Sequence, residues 1–189
     1  MNLVAAQSDE KIMNRVKSGD ISELTELFER YHVKLYNYFL KLSFDKTASE
    51  DLTQNLFYRV IRYRHSFDPK NGSFKSWLYQ IARNIHADYY EEQQKRKDRF
   101  PYEEGFHDNI PGNNSEHSYS EDRIDRLNLA LQALNMEQRE IIILSRYQRL
   151  KYDEIAKLKD STVAAVKVQV HRAIKQLKKL YFKNTLSGG

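Results

Sequence analysis

The stretch Tyr152-Asp153-Glu154-Ile155-Ala156-Lys157-Leu158-Lys159-Asp160-Ser161-Thr162-Val163-Ala164-Ala165-Val166-Lys167-Val168-Gln169-Val170-His171-Arg172-Ala173 decides how the chain is read. Ile155, Ala156 and Leu158 are the apolar positions of a short helix over 152–158. Lys159-Asp160-Ser161 is a tight connection, and Thr162 is a good N-cap. From there Val163, Val166, Val170, Ala173, Ile174 and Leu177 recur at three- and four-residue steps, which predicts one buried stripe along a longer helix. A short helix, a brief turn and a longer helix form the helix-turn-helix pattern. The opposite face displays Ala164, Ala165, Lys167, Val168, His171, Arg172 and Lys175. Small side chains at the helix start let the backbone approach a groove. Lys and Arg can reach phosphates or guanine edges, and Val168 or Ala165 can touch a thymine methyl. A plain helical hairpin is the competing reading, and the mixture of small, cationic and imidazole groups weighs against it.

Upstream, Leu127, Ala130, Leu131 and Leu134 predict a helix, and Asn135 caps the next, which runs through Ile141, Ile142, Leu144 and Tyr147. Between Asp98 and Ser120 the periodicity dissolves into Pro101, Gly105, Pro111, Gly112, Asn113, Asn114 and Ser115, a linker signature. So long a structureless stretch argues for two domains. The N-terminal part reads as four helices. Ser8 opens a short one that Gly19 ends. Asp20 with Glu23 predicts a capping-box start for a long amphipathic helix carrying Leu24, Leu27, Phe28, Tyr31, Leu35, Tyr38, Phe39 and Leu42. A third helix, over about 47–64, turns Leu52, Leu56, Phe57, Val60 and Ile61 to one side. After a break marked by Asp68-Pro69 and Asn71-Gly72, Ser73 caps a fourth, with Phe74, Trp77, Leu78, Ile81, Ile85 and Tyr89 on its inner face. No segment alternates with period two. The expected fold is all-α: two small helical domains, at 1–98 and 121–182, joined by a flexible linker at 99–120, with a tail at 183–189.

Composition agrees and excludes. The 189 residues are 40% hydrophobic and 30% charged, enough apolar material for modest cores. Zero Cys removes disulfides, thiolate metal sites and cysteine nucleophiles together. The longest aliphatic run, 141–144, falls far short of the roughly 20 residues that cross a bilayer. The apolar start is too short for a secretory signal, so a cytoplasmic chain without membrane insertion is expected. Charge is uneven: +2 over residues 1–98, −3 over 99–120 and +6 over 121–189. A basic C-terminal third behind an acidic tether fits a polyanion-binding module, although a lysine-rich solvated face would look the same by charge alone.

The motifs, taken in order, resemble the extracytoplasmic-function sigma factors of bacterial RNA polymerase. Glu154-Ile155-Ala156, then Lys167 and His171-Arg172-Ala173, resemble region four, with Leu134 and Arg139 matching its upstream approach. Asp51-Leu52-Thr53-Gln54-Asn55-Leu56-Phe57-Tyr58-Arg59-Val60 resembles region 2.2, and Phe74 to Asn84, with Asp88, resembles regions 2.3 and 2.4. The likeness spans roughly residues 9–180 and keeps order across both domains. Departures are Asp160 where Gly is frequent, Val168-Gln169 in place of Ser-Arg, Glu91-Glu92 in place of Arg, Asn55 in place of Glu, and Asn135 in place of Pro.

The resemblance implies a promoter-reading subunit rather than an enzyme, with no cofactor and no metal. It implies core RNA polymerase bound through Asp51, Gln54, Asn55, Phe57 and Arg59. Minus-ten contact and strand opening would fall to Phe67, Phe74, Lys75, Trp77, Arg83 and Asn84, with Trp77 chiefly a packing residue that positions its helix. Minus-thirty-five reading would fall to Ala164, Ala165, Lys167, Val168, His171 and Arg172. An anti-sigma factor is the expected regulator, and the acidic Glu103, Glu104, Asp108 and Glu116 suit a cationic polymerase channel or a solvated tether. The alternative is a two-domain helix-turn-helix regulator that works without polymerase; the 51–60 and 74–88 segments separate the two. Glu29-x-x-His32 and Glu104-x-x-His107 match a di-iron spacing, but the second lies in the Pro/Gly/Asn linker.

Overall fold

A computed structural model of the chain describes residues 7–99 and 119–186. They form eight α-helices and no strand: α1 (Asp9–Lys17), α2 (Leu24–Ser43), α3 (Lys46–Tyr63), α4 (Phe74–Arg99), α5 (Tyr119–Gln132), α6 (Met136–Ile142), α7 (Tyr152–Leu158) and α8 (Val163–Leu186). Helix therefore claims Arg99, Tyr119 and Ser120 from the expected linker, and 183–186 from the expected tail. The acidic residues 103, 104, 108 and 116, and His107, lie outside the described residues. By backbone contacts the chain divides into two compact units, residues 1–36 with 50–103 and residues 37–49 with 104–189. Sequence patterning places 37–49 in the N-terminal domain instead.

In the first unit, α1 buries Ile12, Met13 and Val16 completely. Ser8 caps it, accepting from Lys11 N–H. It stops at Gly19, whose φ of +110° belongs to the left-handed region that L side chains resist; a Cβ there would meet nothing within 4 Å, so conformation alone favours glycine. The expected capping box at Asp20 and Glu23 does not form: Asp20 caps only a single 3-10 turn, without a side-chain bond. Glu23 instead pairs with Arg15 at 2.6 Å, which removes the carboxylate the box requires. The core joins Leu27, Tyr31 and Leu35 of α2, Leu56 and Val60 of α3, and Phe74, Leu78 and Ile85 of α4. Phe28, expected inside, is 43% exposed because it lies on the rim against Phe57, with ring centroids 4.7 Å apart. Arg30 of α2 pairs with Asp9 of α1 at 2.5 Å, and Arg59 of α3 with Asp88 of α4 at 3.0 Å. Burial and the hydrogen bond to Asp9 push the Tyr31 phenol far above its ordinary range, and burial does the same to Tyr79, so both rings stay neutral in the interior.

In the second unit, Asn135 caps α6 by accepting from Gln138 N–H at 2.9 Å. Beyond α6 the chain continues as a π-helical turn, Ile143–Tyr147, a widening that no periodicity announced. Ile141, Ile142, Ile143, Leu144, Leu150 and Ile155 are buried in this unit, as are Val166, Val170 and Ala173 of α8. Arg139, singled out in the region-four motif, has a structural explanation. Its guanidinium donates to the carbonyls of Leu131, Gln132 and Leu134, closing the C-terminal end of α5 where backbone acceptors lack helical partners. It also donates to Leu42 O at 2.9 Å and lies over the Phe44 ring at 4.8 Å, which groups 37–49 with this unit.

Candidate nucleic-acid interface

The turn between α7 and α8 determines how α8 is presented. Lys159 N–H donates to Ile155 O at 3.0 Å and Ser161 N–H to Ala156 O at 2.8 Å, so the last carbonyls of α7 are satisfied within the turn. This closure requires Asp160 at φ +46°. Glycine would adopt that conformation most easily; Asp is among the few other residues that tolerate it. Thr162 then caps α8, its Oγ1 accepting from Ala165 N–H at 3.1 Å. The predicted stripe is buried at Val166, Val170 and Ala173, but Val163 is 39% exposed, because the first helical residue lies beyond the reach of the core.

The outward face is as the spacing required. Ala164, Lys167, Val168, His171 and Arg172 are exposed, and Ala165 is half-buried. They occupy the first three turns of the helix, the part that enters a major groove in such motifs. The turn before α8 also holds a pair that sequence reasoning did not identify: Lys159 Nζ donates to Glu140 Oε2 of α6 at 2.6 Å, with side chains only 11% and 13% exposed. Nothing local signals this bond, since its partners are 19 residues apart on different elements. On the same unit an open apolar groove of about 430 Å³ runs between α5 and the end of α8, floored by Leu127 and Leu177 and rimmed by Arg123 and Lys178.

In the first unit, the solvent face of α3 carries Asp51, Gln54, Asn55 and, unforeseen, Tyr58, which is 62% exposed. Phe57 is buried on the opposite side, and Arg59 is engaged by Asp88. Of the expected contact residues on α3, Phe57 is thus buried and Arg59 is partly exposed within an ion pair. The groups assigned to the minus-ten element also separate. Phe67 and Phe74 are buried at 1% and 0%, with ring centroids 5.9 Å apart, so neither offers a free ring in this conformation. Trp77 is half-buried against both, and its Nε1 donates to Ser66 Oγ at 3.3 Å, consistent with a packing role. Lys75 and Arg83 are half-buried and Asn84 is exposed. Asn84 Oδ1 accepts from Gln80 Nε2 at 3.3 Å. Ser73 caps α4 by accepting from Ser76 N–H at 3.1 Å.

His32 Nδ1 donates to Phe28 O at 2.9 Å, and its ring stacks on Phe28, so the imidazole beside Glu29 is held by its own helix. Among the described residues no three metal-ligating carboxylates and imidazoles gather, and no helix is long and apolar enough to cross a membrane.

Two family models match the chain in order: Sigma-70 region 2 over residues 27–96 and Sigma-70, region 4 over residues 124–177. The chain is 28% identical over 185 residues to the ECF RNA polymerase sigma factor BldN of Streptomyces coelicolor, covering 93% of this chain and 68% of that protein. It is 29% identical over 160 residues to the ECF RNA polymerase sigma factor SigX of Bacillus subtilis, covering 81% and 80%. Its fold is similar to that of CnrH, solved with the cytosolic domain of CnrY, at a TM-score of 0.70 and 21% identity over 92% of this chain and 97% of that one. It is also similar to the sigma factor RpoE of Bartonella quintana, solved with the anti-sigma factor NepR, at a TM-score of 0.64 and 23% identity over 84% and 96%.

Proposed function

This chain belongs to the extracytoplasmic-function sigma factors of RNA polymerase, and from that membership we propose how its residues divide the work. It is an alternative sigma factor: it binds core polymerase and directs promoter-specific initiation. In our reading residues 1–98 bind polymerase and open the minus-ten element, 121–182 read the minus-thirty-five element, and 99–120 connect them. The protein acts in the cytoplasm, catalyses no reaction of its own and is held inactive by an anti-sigma factor. The observation that carries the division is the exposed face of α8, with Lys167, Val168, His171 and Arg172 side by side above a packed stripe. A groove-reading helix needs that arrangement.

Asp51, Gln54 and Asn55 form the polar part of the polymerase contact on α3. Tyr58 supplies a large amphipathic ring at its centre, the kind of residue that dominates such interfaces. Lys75 neutralises backbone phosphate, Arg83 and Asn84 meet the opened strand, and Phe67, Phe74 and Trp77 form the floor on which that surface rests. The deciding assay adds the purified chain to core polymerase and scores heparin-resistant transcription from a promoter library. Site-directed initiation is expected; a chain that binds duplex DNA but leaves core polymerase unchanged would instead be the polymerase-independent regulator. Asn84→Ala is expected to lower open-complex formation roughly tenfold, as removal of one base-edge hydrogen bond would, while closed-complex affinity stays within about twofold. Permanganate footprinting beside a closed-complex binding assay separates the two, and equal loss in both contradicts the assigned role.

A further inference from the structure

The loop Phe67–Ser73, with the start of α4, carries the minus-ten reading above, and the present inference rests on that reading. Two backbone groups mark its ends: the carbonyl of Phe67 and the amide of Phe74. Both are taken by α1, which precedes the region-2 match at 27–96. Lys17 Nζ donates to Phe67 O, and the same ammonium lies 5.9 Å from the centroid of the Phe67 ring. Glu10 Oε1 accepts from Phe74 N–H at 3.1 Å, satisfying one of the orphan donors at the start of α4. Glu10 and Lys17 are two helical turns apart, roughly 10 Å, so one face of α1 spans the two ends of the loop.

We propose that α1 is the positioning element of the minus-ten loop, with Lys17 and Glu10 as its two tethers. Helix α1 is itself immobilised. Ile12, Met13 and Val16 are completely buried, Asp9 pairs with Arg30, and the Tyr31 hydroxyl donates to Asp9. The loop thus lies between a buried aromatic floor and a braced helix, while Pro69, Lys70 and Asn71 stay exposed at its tip. Capturing an unstacked base is costly, and a loop that had to be ordered on binding would subtract its ordering entropy from that capture. Tethering both ends pays that cost at the folding stage. Lys17 and Glu10 act through the loop and touch no DNA; they are positioning residues.

The test uses holoenzyme reconstituted on core polymerase and a single-stranded oligonucleotide carrying the non-template minus-ten stretch of a promoter that the wild type transcribes. Lys17→Met and Glu10→Ala are each expected to weaken oligonucleotide binding about tenfold, the scale of one charge-assisted hydrogen bond, with core affinity within about twofold of wild type. Lys17→Arg and Glu10→Gln keep a donor and an acceptor in place and are expected to stay within about threefold. A merely structural role would not produce that contrast. Unchanged oligonucleotide binding in the first pair overturns the proposal. So does a parallel loss of core affinity, or failure of the conservative pair to an equal degree. If wild-type holoenzyme does not distinguish the oligonucleotide from a scrambled one, the minus-ten reading itself has failed, which is a separate outcome.

Discussion

Lys159→Met is expected to destabilise the C-terminal unit by about 3–5 kcal/mol, because it removes the cation from a largely buried ion pair with Glu140. The pair is 2.6 Å apart with side chains only 11% and 13% exposed, so water replaces little of the missing interaction. The consequence reaches the exposed face of α8 directly: Lys159 is the first residue of the turn that positions α8, followed by Asp160 at φ +46° and the Thr162 cap. Urea unfolding of the full chain, followed by a probe in this unit, measures the loss. Combining Lys159→Met with Glu140→Leu should recover most of it, since an apolar pair of similar volume costs little where a lone charge costs much. A single variant that unfolds within about 1 kcal/mol of wild type would show that solvent reaches the pair after all.

The second large effect is on binding rather than folding. Lys167→Ala with Arg172→Ala removes two exposed cations from the reading face and touches no buried atom. Each base or phosphate contact carries roughly 1–3 kcal/mol, so the double variant should bind its minus-thirty-five duplex about a hundredfold more weakly. The slope of log affinity against log salt should fall by about one for each phosphate that is no longer neutralised. Core-polymerase affinity and unfolding should not change. Fluorescence anisotropy with cognate and scrambled duplexes at several salt concentrations makes the measurement. Equal affinity of wild type and variant for the cognate duplex would move the reading face elsewhere on the unit.

Most of the architecture was legible because it is written in short-range terms. The stripe Val166, Val170 and Ala173, the caps Ser8, Ser73, Asn135 and Thr162, and the stop at Gly19 each depend on residues within a turn or two. Where prediction failed locally, a longer-range partner had intervened: Arg15 took the Glu23 carboxylate from its capping box, and the rim position of Phe28 left it half open. The α8 face was found because helical spacing fixes which side chains share a side. Phe67, Phe74, Phe57 and Arg59 were selected by motif, and motif does not report burial. Folding buried the three phenylalanine rings and paired the partly exposed Arg59 with Asp88.

The order of residues alone therefore determined the helices, the caps at Ser8, Ser73, Asn135 and Thr162, and which side chains share the exposed face of α8, since periodicity and cap chemistry act within a few residues. Only the tertiary structure decided what holds those surfaces in place. Glu140 meets Lys159 across 19 residues, Lys17 meets the Phe67 carbonyl across 50, and Glu10 meets the Phe74 amide across 64. Those bonds exist because packing brings distant backbone and charge together out of water, and no local pattern encodes which distant partner arrives.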